Sequence, residues 1–437
     1  MSEDVTSAFY DIEMRYTTAA FLKQSLSPYS RQDSFYESPY YQTCSISPQQ
    51  LPSKPLIRTR NSKIWAEAKI FLTHLSKLEV QYYHVGRKEI TRFIYQCLRR
   101  VNVNKQNAKV LVDALIDADS KKEFGKGLYR LLMYVADIMD KSCEASASPI
   151  ILKSNDTTAW VDGMNALGPV IGKHCMDLAI DKAKNHGVGV IVARQSNYLG
   201  KCTWFTKMAM ENDLIGMTFS NSPHALCPTR AKKSFLGWNP IALSAPASRK
   251  SNNIFMEVKS TALTLRQILT FIGKGYEMPV NCAVDAEGQM TTDPVEALYE
   301  GCVLPLGGVE DSGGYKGYAL AIVVEIMSGI LGNSFFGRDL KRVPERGQTP
   351  VNLGHCFIAV NPKFFCGNFK KRMDGLVRSI RKLEPLKENE PVLIPGDYEN
   401  FLQSHISIGN KLQYRLVDLM AAYQLSCMLN ISPLKLK

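Results

Sequence analysis

Two stretches carry side chains placed to do chemistry. In PLGGVEDSGGYKGYALAIVVEIMSGIL, residues 305–331, four glycines precede the run Tyr315-Lys316-Gly317-Tyr318. Glycine lets a backbone turn sharply and approach a ligand closely, so this loop presents a lysine. From Ala319 onward the chain is apolar or small, with Glu325 its one charge, which predicts a helix buried nearly all round that anchors the loop. In ADSKKEFGKGLYRL, residues 118–131, Lys126 lies between Gly125 and Gly127, four residues before Arg130. A guanidinium pairs with a carboxylate through a two-pronged hydrogen bond, so Arg130 suits a small organic acid. The plainer readings are an exposed helix arginine and a surface lysine in a turn.

Helices and strands must hold these side chains in place. Ile90, Phe93, Ile94, Cys97, Leu98 and Val101 share a helical face beginning at Arg87. A second face follows from about Gln106, through Ala108, Leu111, Val112, Leu115 and Ala118, and a third from about Leu128, through Leu131, Leu132, Val135 and Ile138. Three such helices with short connections predict an all-helical entry domain. Beyond them, the spacing predicts a helix from about Pro169 and strands over 188–193, 215–219, 254–258 and 354–362. A helix runs through Met373, Leu376 and Ile380, and a last one spans about 412–428 and returns to the entry helices.

The chain has 437 residues, 45% of them hydrophobic, enough for two or three domains. Residues 1–60 are rich in Ser, Tyr, Gln and Pro and carry six acidic and six basic residues, which reads as a disordered tail rather than an import or secretory signal. The expected division is this tail, a helical domain over 61–150, a central domain over 151–345, and a strand and helices over 346–437 that return to the helical part. No run approaches the roughly 18 apolar residues of a membrane helix. The net charge of +12 comes from scattered Lys and Arg, which fits an anionic small molecule and a phosphate-bearing cofactor better than a nucleic acid. Eleven cysteines with no CxxC pair read as reduced thiols in a cytoplasmic setting, with no metal site. No GxGxxG opens a βαβ unit, so a Rossmann site is not expected.

The PLGG turn, the lysine-glycine-tyrosine run and the EIMSGIL helix together resemble the closing signature of the type 2 malate/L-lactate dehydrogenase family. The resemblance extends in one register from about Gly86 to about Ile431, through Asp162-Gly163, Gly168, Asn197, Asn239-Pro240, AVDAEGQMTTDP and GHCFIAVNP. It implies an α+β, non-Rossmann fold, with a helical domain built from both chain ends and a central α/β domain with a mixed sheet. It implies a homodimer whose site uses both subunits, NAD or NADP as cofactor, and a small anionic 2-oxo or 2-hydroxy acid as substrate. The same resemblance places Glu257, Ser260, Thr261, Tyr315, Lys316, Gly317, Gly396 and Asp397 near the cofactor, with Asp397 standing where the family has Glu.

It also assigns the catalytic positions Lys126, Arg130, Asn197 and Tyr198. In two of these columns the family has histidine: its proton donor where Lys126 stands, and a second active-site histidine where Tyr198 stands. Hydride delivery to a ketone builds charge on oxygen, which an acid must quench. Lysine, ordinarily near pH 10.4, would act there if Lys121, Lys122 and Arg130 pushed it down. Trp238 takes the place of a small threonine and narrows the pocket. Among the histidines, His224 is the one to inspect as a substitute. Two readings follow: an NAD(P)H-dependent reductase of 2-oxo acids, or a catalytically impaired relative serving as a binding or structural protein.

Overall fold

The computed structural model describes residues 82–341, 350–388, 390–406 and 410–436. The expected tail lies outside these residues. The first helix, α1 (Arg87–Arg100), buries Ile90, Phe93, Ile94, Cys97 and Leu98 as its spacing demands. Helix α2 (Lys105–Ser120) starts where the Asn104 side chain accepts the Asn107 N–H at 2.8 Å, a standard N-cap. The third helix, α3 (Leu131–Met139), begins later than Leu128. The glycines before it break the segment into two 3-10 turns, Phe124–Lys126 and Leu128–Arg130.

The end of the chain also departs from expectation. Residues Lys411–Arg415 form a strand, pairing antiparallel with β1 (Tyr82–Gly86), and the last helix covers only Leu416–Leu429. Leu412 and Tyr414 are buried at alternate positions, a period of two that a helix-period reading absorbs. Both ends of the described chain therefore share one core, in which Val85, Phe93, Leu111, Leu131, Tyr414 and Leu425 are packed together.

The second layer is a seven-stranded mixed sheet. Its strands are β2 (Ile150–Ser154), β3 (Thr158–Asp162), β4 (Val188–Ser196), β5 (Ile215–Ser220), β6 (Ile241–Ala245), β7 (Ile254–Val258) and β10 (Leu353–Val360), a short pair β8 (Ala283–Val284) and β9 (Cys302–Val303) standing apart. The order is β2-β3-β4-β10-β5-β6-β7. Only β3 and β4 are parallel, joined by helix α4 (Gly168–His186); β10 enters between β4 and β5 antiparallel to both, setting Cys356 opposite Val192 and Phe219. The sheet thus draws its central strand from beyond residue 345. Helix α5 (Cys202–Glu211) packs with α4 on one face, closing a core around Ile171, Phe205 and Phe357. Among the described residues no helix is long and apolar enough to cross a membrane.

Helices α6 (Leu265–Lys274) and α7 (Pro294–Tyr299) lead to α8 (Gly314–Glu325), which continues as a π-helical turn over Ile326–Ile330. The glycine-lysine loop feeds this helix as expected, and a Cβ on Gly317 would come within 2.3 Å of the Leu306 carbonyl, so only glycine lets the two segments meet. Helix α8 is not buried all round, however. Val323, Ile326 and Ile330 are 46%, 52% and 51% exposed, forming one apolar stripe with Tyr315. Among the described residues the remaining α-helices are α9 (Phe369–Arg381), α10 (Asp397–Ile406) and α11 (Leu416–Leu429).

Asp119 ties the helical layer together. One of its oxygens, Oδ2, accepts the Leu128 N–H and the Tyr414 hydroxyl, each at 2.9 Å, while Oδ1 is buried without a partner among the described residues. Burial pushes this carboxyl up to about 8, so it folds as the neutral acid. A carboxyl raised in the folded state stabilises the fold below its unfolded pKa near 4, and that contribution is lost as the pH climbs through about 8. Thermal melts between pH 5 and pH 8.5 are therefore expected to show wild-type stability falling more steeply than that of Asp119→Asn. Tyr414→Phe should cost about 1–3 kcal/mol at pH 5.

Candidate active site

A cavity of about 780 Å³ opens between the helical layer and the sheet. Its size is that of a small-molecule site. The segment between α2 and α3 supplies Glu123 and Lys126, α3 and its lead-in supply Arg130 and Asp137, the loop after β4 supplies Asn197 and Tyr198, and β7 supplies Glu257. Asn221 and His224 after β5, Trp238 before β6, and Tyr398 and Glu399 of α10 complete the wall.

Lys126 sits among carboxylates. Its ammonium is ion-paired with Glu257 and lies 3.2 Å from the second oxygen of Glu123, whose first oxygen binds Lys201. The far oxygen of Glu257 accepts the Cys202 N–H at 3.0 Å, capping α5. Burial works against the charge on Lys126, but Glu257 and then Glu123 outweigh it and hold the amine well above its usual range. Lys126 is thus pushed up, not down as the neighbouring cations suggest in sequence; Lys121, one of those cations, is tied to Asp117. Glu123 is pulled down to about 2, its burial overcome by Lys126 and Lys201.

Arg130 is buried and its guanidinium lies 4.3 Å from the centre of the Tyr198 ring, a cation–π stack, while Tyr134 donates to the Tyr198 carbonyl at 3.2 Å. Asn197 spends its amide on the preceding loop, donating to Asn165 Oδ1 at 2.9 Å and the Ala166 carbonyl at 2.9 Å. Behind this loop His355 Nε2 meets Ser196 Oγ at 2.8 Å; burial pushes the imidazole down to about 4, so it is neutral above pH 5. His224 lines the cavity with Nδ1 2.8 Å from Ser234 Oγ. Glu325, the lone charge of α8, accepts from Asn239 at 2.7 Å and Asn221 at 3.2 Å, fixing two of the turns that frame the cavity.

Residues 85–407 match the sequence model of the malate/L-lactate dehydrogenase family. The chain belongs to this family. It is 37% identical over 312 residues to the L-sulfolactate dehydrogenase of Methanocaldococcus jannaschii, covering 70% of this chain and 87% of that one. It is 31% identical to the malate dehydrogenase of Pyrococcus horikoshii, covering 78% and 94%. The solved structure of malate dehydrogenase from Entamoeba histolytica superposes with a TM-score of 0.76 at 28% identity, covering 80% of this chain and 99% of that one.

Set against the family pattern, the cavity brings together Lys126, Arg130, Asn197, Tyr198 and Glu257 and leaves other expected positions outside its wall. Ser260 and Thr261 are buried, their hydroxyls bonded to the Asn239 carbonyl at 2.9 Å and the Leu263 carbonyl at 2.7 Å, and their backbone joins the glycine loop, the Ser260 carbonyl accepting the Leu306 N–H at 2.8 Å. Gly396 adopts φ +101° against the Phe255 ring, and Asp397 pairs with Arg381 at 2.7 Å and accepts the Ile394 N–H at 3.0 Å, holding the loop whose next two residues face the cavity. Tyr315 and Lys316 are exposed on α8, and neither they nor Gly317 reach this cavity within one chain.

Glu123 and Lys201 went unseen in the sequence. Glu123 lies three residues before Lys126, a spacing at which side chains on one turn meet, whereas nothing local marks Lys201. Because a lone charge left in this partly buried network is costly, Glu257→Gln is expected to lower stability by about 1–3 kcal/mol, while Lys126→Met combined with Glu257→Met recovers most of the loss in chemical denaturation.

Proposed function

We propose that this chain is a nicotinamide-dependent oxidoreductase that interconverts a small 2-oxo acid and its 2-hydroxy acid. The observation that carries this reading is the single cavity in which Arg130, Lys126 and Tyr198 converge. The wall fits a dinucleotide as well as an acid: Lys122, Lys259 and Arg266 offer cations for phosphates, and Trp238 and Tyr398 offer flat faces for rings. When bound, the reduced nicotinamide, from NADH or NADPH, supplies a hydride to the keto carbon. Arg130, oriented by its stack on Tyr198, holds the substrate carboxylate. Lys126 and Tyr198 flank the keto oxygen and provide the hydrogen bonds and the proton that it needs as charge develops. The relatives named above are dehydrogenases, which gives the non-catalytic alternative no support.

The exposed stripe of α8 supports a homodimer. A second copy seated on Val323, Ile326 and Ile330 would cover this apolar face and bring the first turn of α8, with Tyr315 and Lys316, toward the other subunit's site. Ile326→Asp with Ile330→Asp is expected to give a monomer by light scattering and to weaken NADH binding, read by nicotinamide fluorescence, at least tenfold. The catalytic assignment is tested by NADH- or NADPH-dependent reduction of a panel of C3 to C5 oxo acids. Arg130→Gln should raise KM for the acid about 10- to 100-fold and leave cofactor binding within about twofold. Unchanged KM would remove Arg130 from the substrate site, and no cofactor binding by the unaltered chain would end the enzyme reading.

A further inference from the structure

The network around Lys126 has a consequence for the direction of the reaction. On its own turn Lys126 faces Glu123; from β7 it faces Glu257; from the β4–α5 segment it faces Tyr198 and Cys202; and Lys201 reaches it only through Glu123. The cavity wall also holds Arg130, stacked on Tyr198, Lys121, tied to Asp117, and the cations Lys122, Lys259, Arg266 and Lys341. Two carboxylates therefore grip one ammonium, with the second carboxylate shared by a further lysine.

We propose, building on the oxidoreductase reading, that Lys126 is an acid locked in its ammonium form by Glu257 and Glu123, so that this site reduces 2-oxo acids near neutral pH and oxidises 2-hydroxy acids only as the pH rises. In reduction, hydride adds to the keto carbon, the carbonyl π pair moves onto oxygen, and one N–H bond of Lys126 breaks as its proton passes to that oxygen. An alkoxide is a far stronger base than an amine, so the transfer is downhill, and solvent reprotonates the amine. In oxidation the same lysine must first be neutral to accept the hydroxyl proton. The overall equilibrium is untouched, because the proton is a reactant. What changes is the pH at which each direction is fast. Glu123 and Lys201 are positioning residues, since they act through Lys126.

The test is a pair of pH profiles on the full-length protein, kcat/KM for oxo-acid reduction and for hydroxy-acid oxidation from pH 6 to 9.5. Reduction is expected to stay level while oxidation climbs about tenfold for each pH unit, because a histidine-like group near 6.5 would instead level off above pH 7. A plateau in oxidation above pH 7, with reduction intact, would overturn the lock and leave the oxidoreductase reading standing. No turnover at any pH with cofactor bound would count against that reading itself. Two variants give opposite shifts. Glu123→Gln loosens the grip and is expected to raise oxidation at pH 7 about tenfold, whereas Lys201→Met gives Glu123 wholly to Lys126 and lowers it. Parallel losses in both would point to structural damage alone and sink the proposal. Competitive acetylation of the cofactor-free protein, followed residue by residue in a mass spectrometer, gives a readout that needs no turnover. Lys126 should react more slowly than surface lysines with no titration below about pH 10, and reaction like an ordinary lysine would overturn the proposal.

Discussion

Two lysines and two glutamates meet where the helical layer touches the sheet, and the shape of the cavity rests on that meeting. Glu123 and Lys126 come from the turn ahead of α3, Glu257 from the end of β7, and Lys201 from the residue before α5. Oppositely charged groups taken out of water must satisfy one another closely, since each ion alone pays a desolvation cost of several kcal/mol. Here the count of charges balances and Glu257 spends its remaining oxygen on the first N–H of α5. The two layers are therefore registered at a point that tolerates little sliding. A loosely matched apolar contact would permit more.

The same cluster explains why the turn between α2 and α3 is irregular. A continuous helix from 105 to 139 would carry Glu123 and Lys126 on α-helical spacing away from β7. Gly125 and Gly127 break it into two short 3-10 turns, and a Cβ at Gly127 would collide with the Asp119 carboxyl at 1.6 Å. Asp119 in turn receives Tyr414 from the end of the chain. The neutral acid on one side of the turn and the charged cluster on the other hold it between them, which links the packing of the chain ends to the placement of the lysine.

Much of this was legible in the sequence. The 3.6-residue spacing gave α1 and α2, and the β-rich runs gave β4, β5, β7 and β10, because burial on one face or both leaves a periodic mark. The mixed-sheet fold was legible only through the family resemblance, carried by motifs agreeing in order, while the missing glycine fingerprint spoke against a Rossmann site. Three features were hidden, each for a physical reason. Lys411–Arg415 is too short to separate from the helix that follows it. The outer stripe of α8 is as apolar as a core face, and one sequence does not say whether protein or solvent lies beyond it. The charge state of Lys126 depends on Glu257, 131 positions away, and on a glutamate three positions back that reads as a surface residue. Sequence neighbours Lys121 and Lys122 suggested the opposite shift, because proximity along a turn is a poor guide to proximity in space.

The resemblance implies histidine in the columns of Lys126 and Tyr198, and the contacts of these two residues bear on the choice between a decayed site and a working one. Decay removes partners one at a time and leaves stranded groups, since nothing maintains the complement of a lost side chain. In this chain both residues have partners: Tyr198 lies under Arg130, and Lys126 pairs with Glu257 of β7. Glu123 and Lys201 then complete a neutral set around the new cation. A lysine dropped into a histidine's pocket without these neighbours would be driven toward its neutral form by burial. The arrangement instead keeps it charged, and a fixed ammonium beside a keto oxygen stabilises developing negative charge whether or not it also gives up its proton. The pattern of contacts is the one that the proposed lysine acid requires.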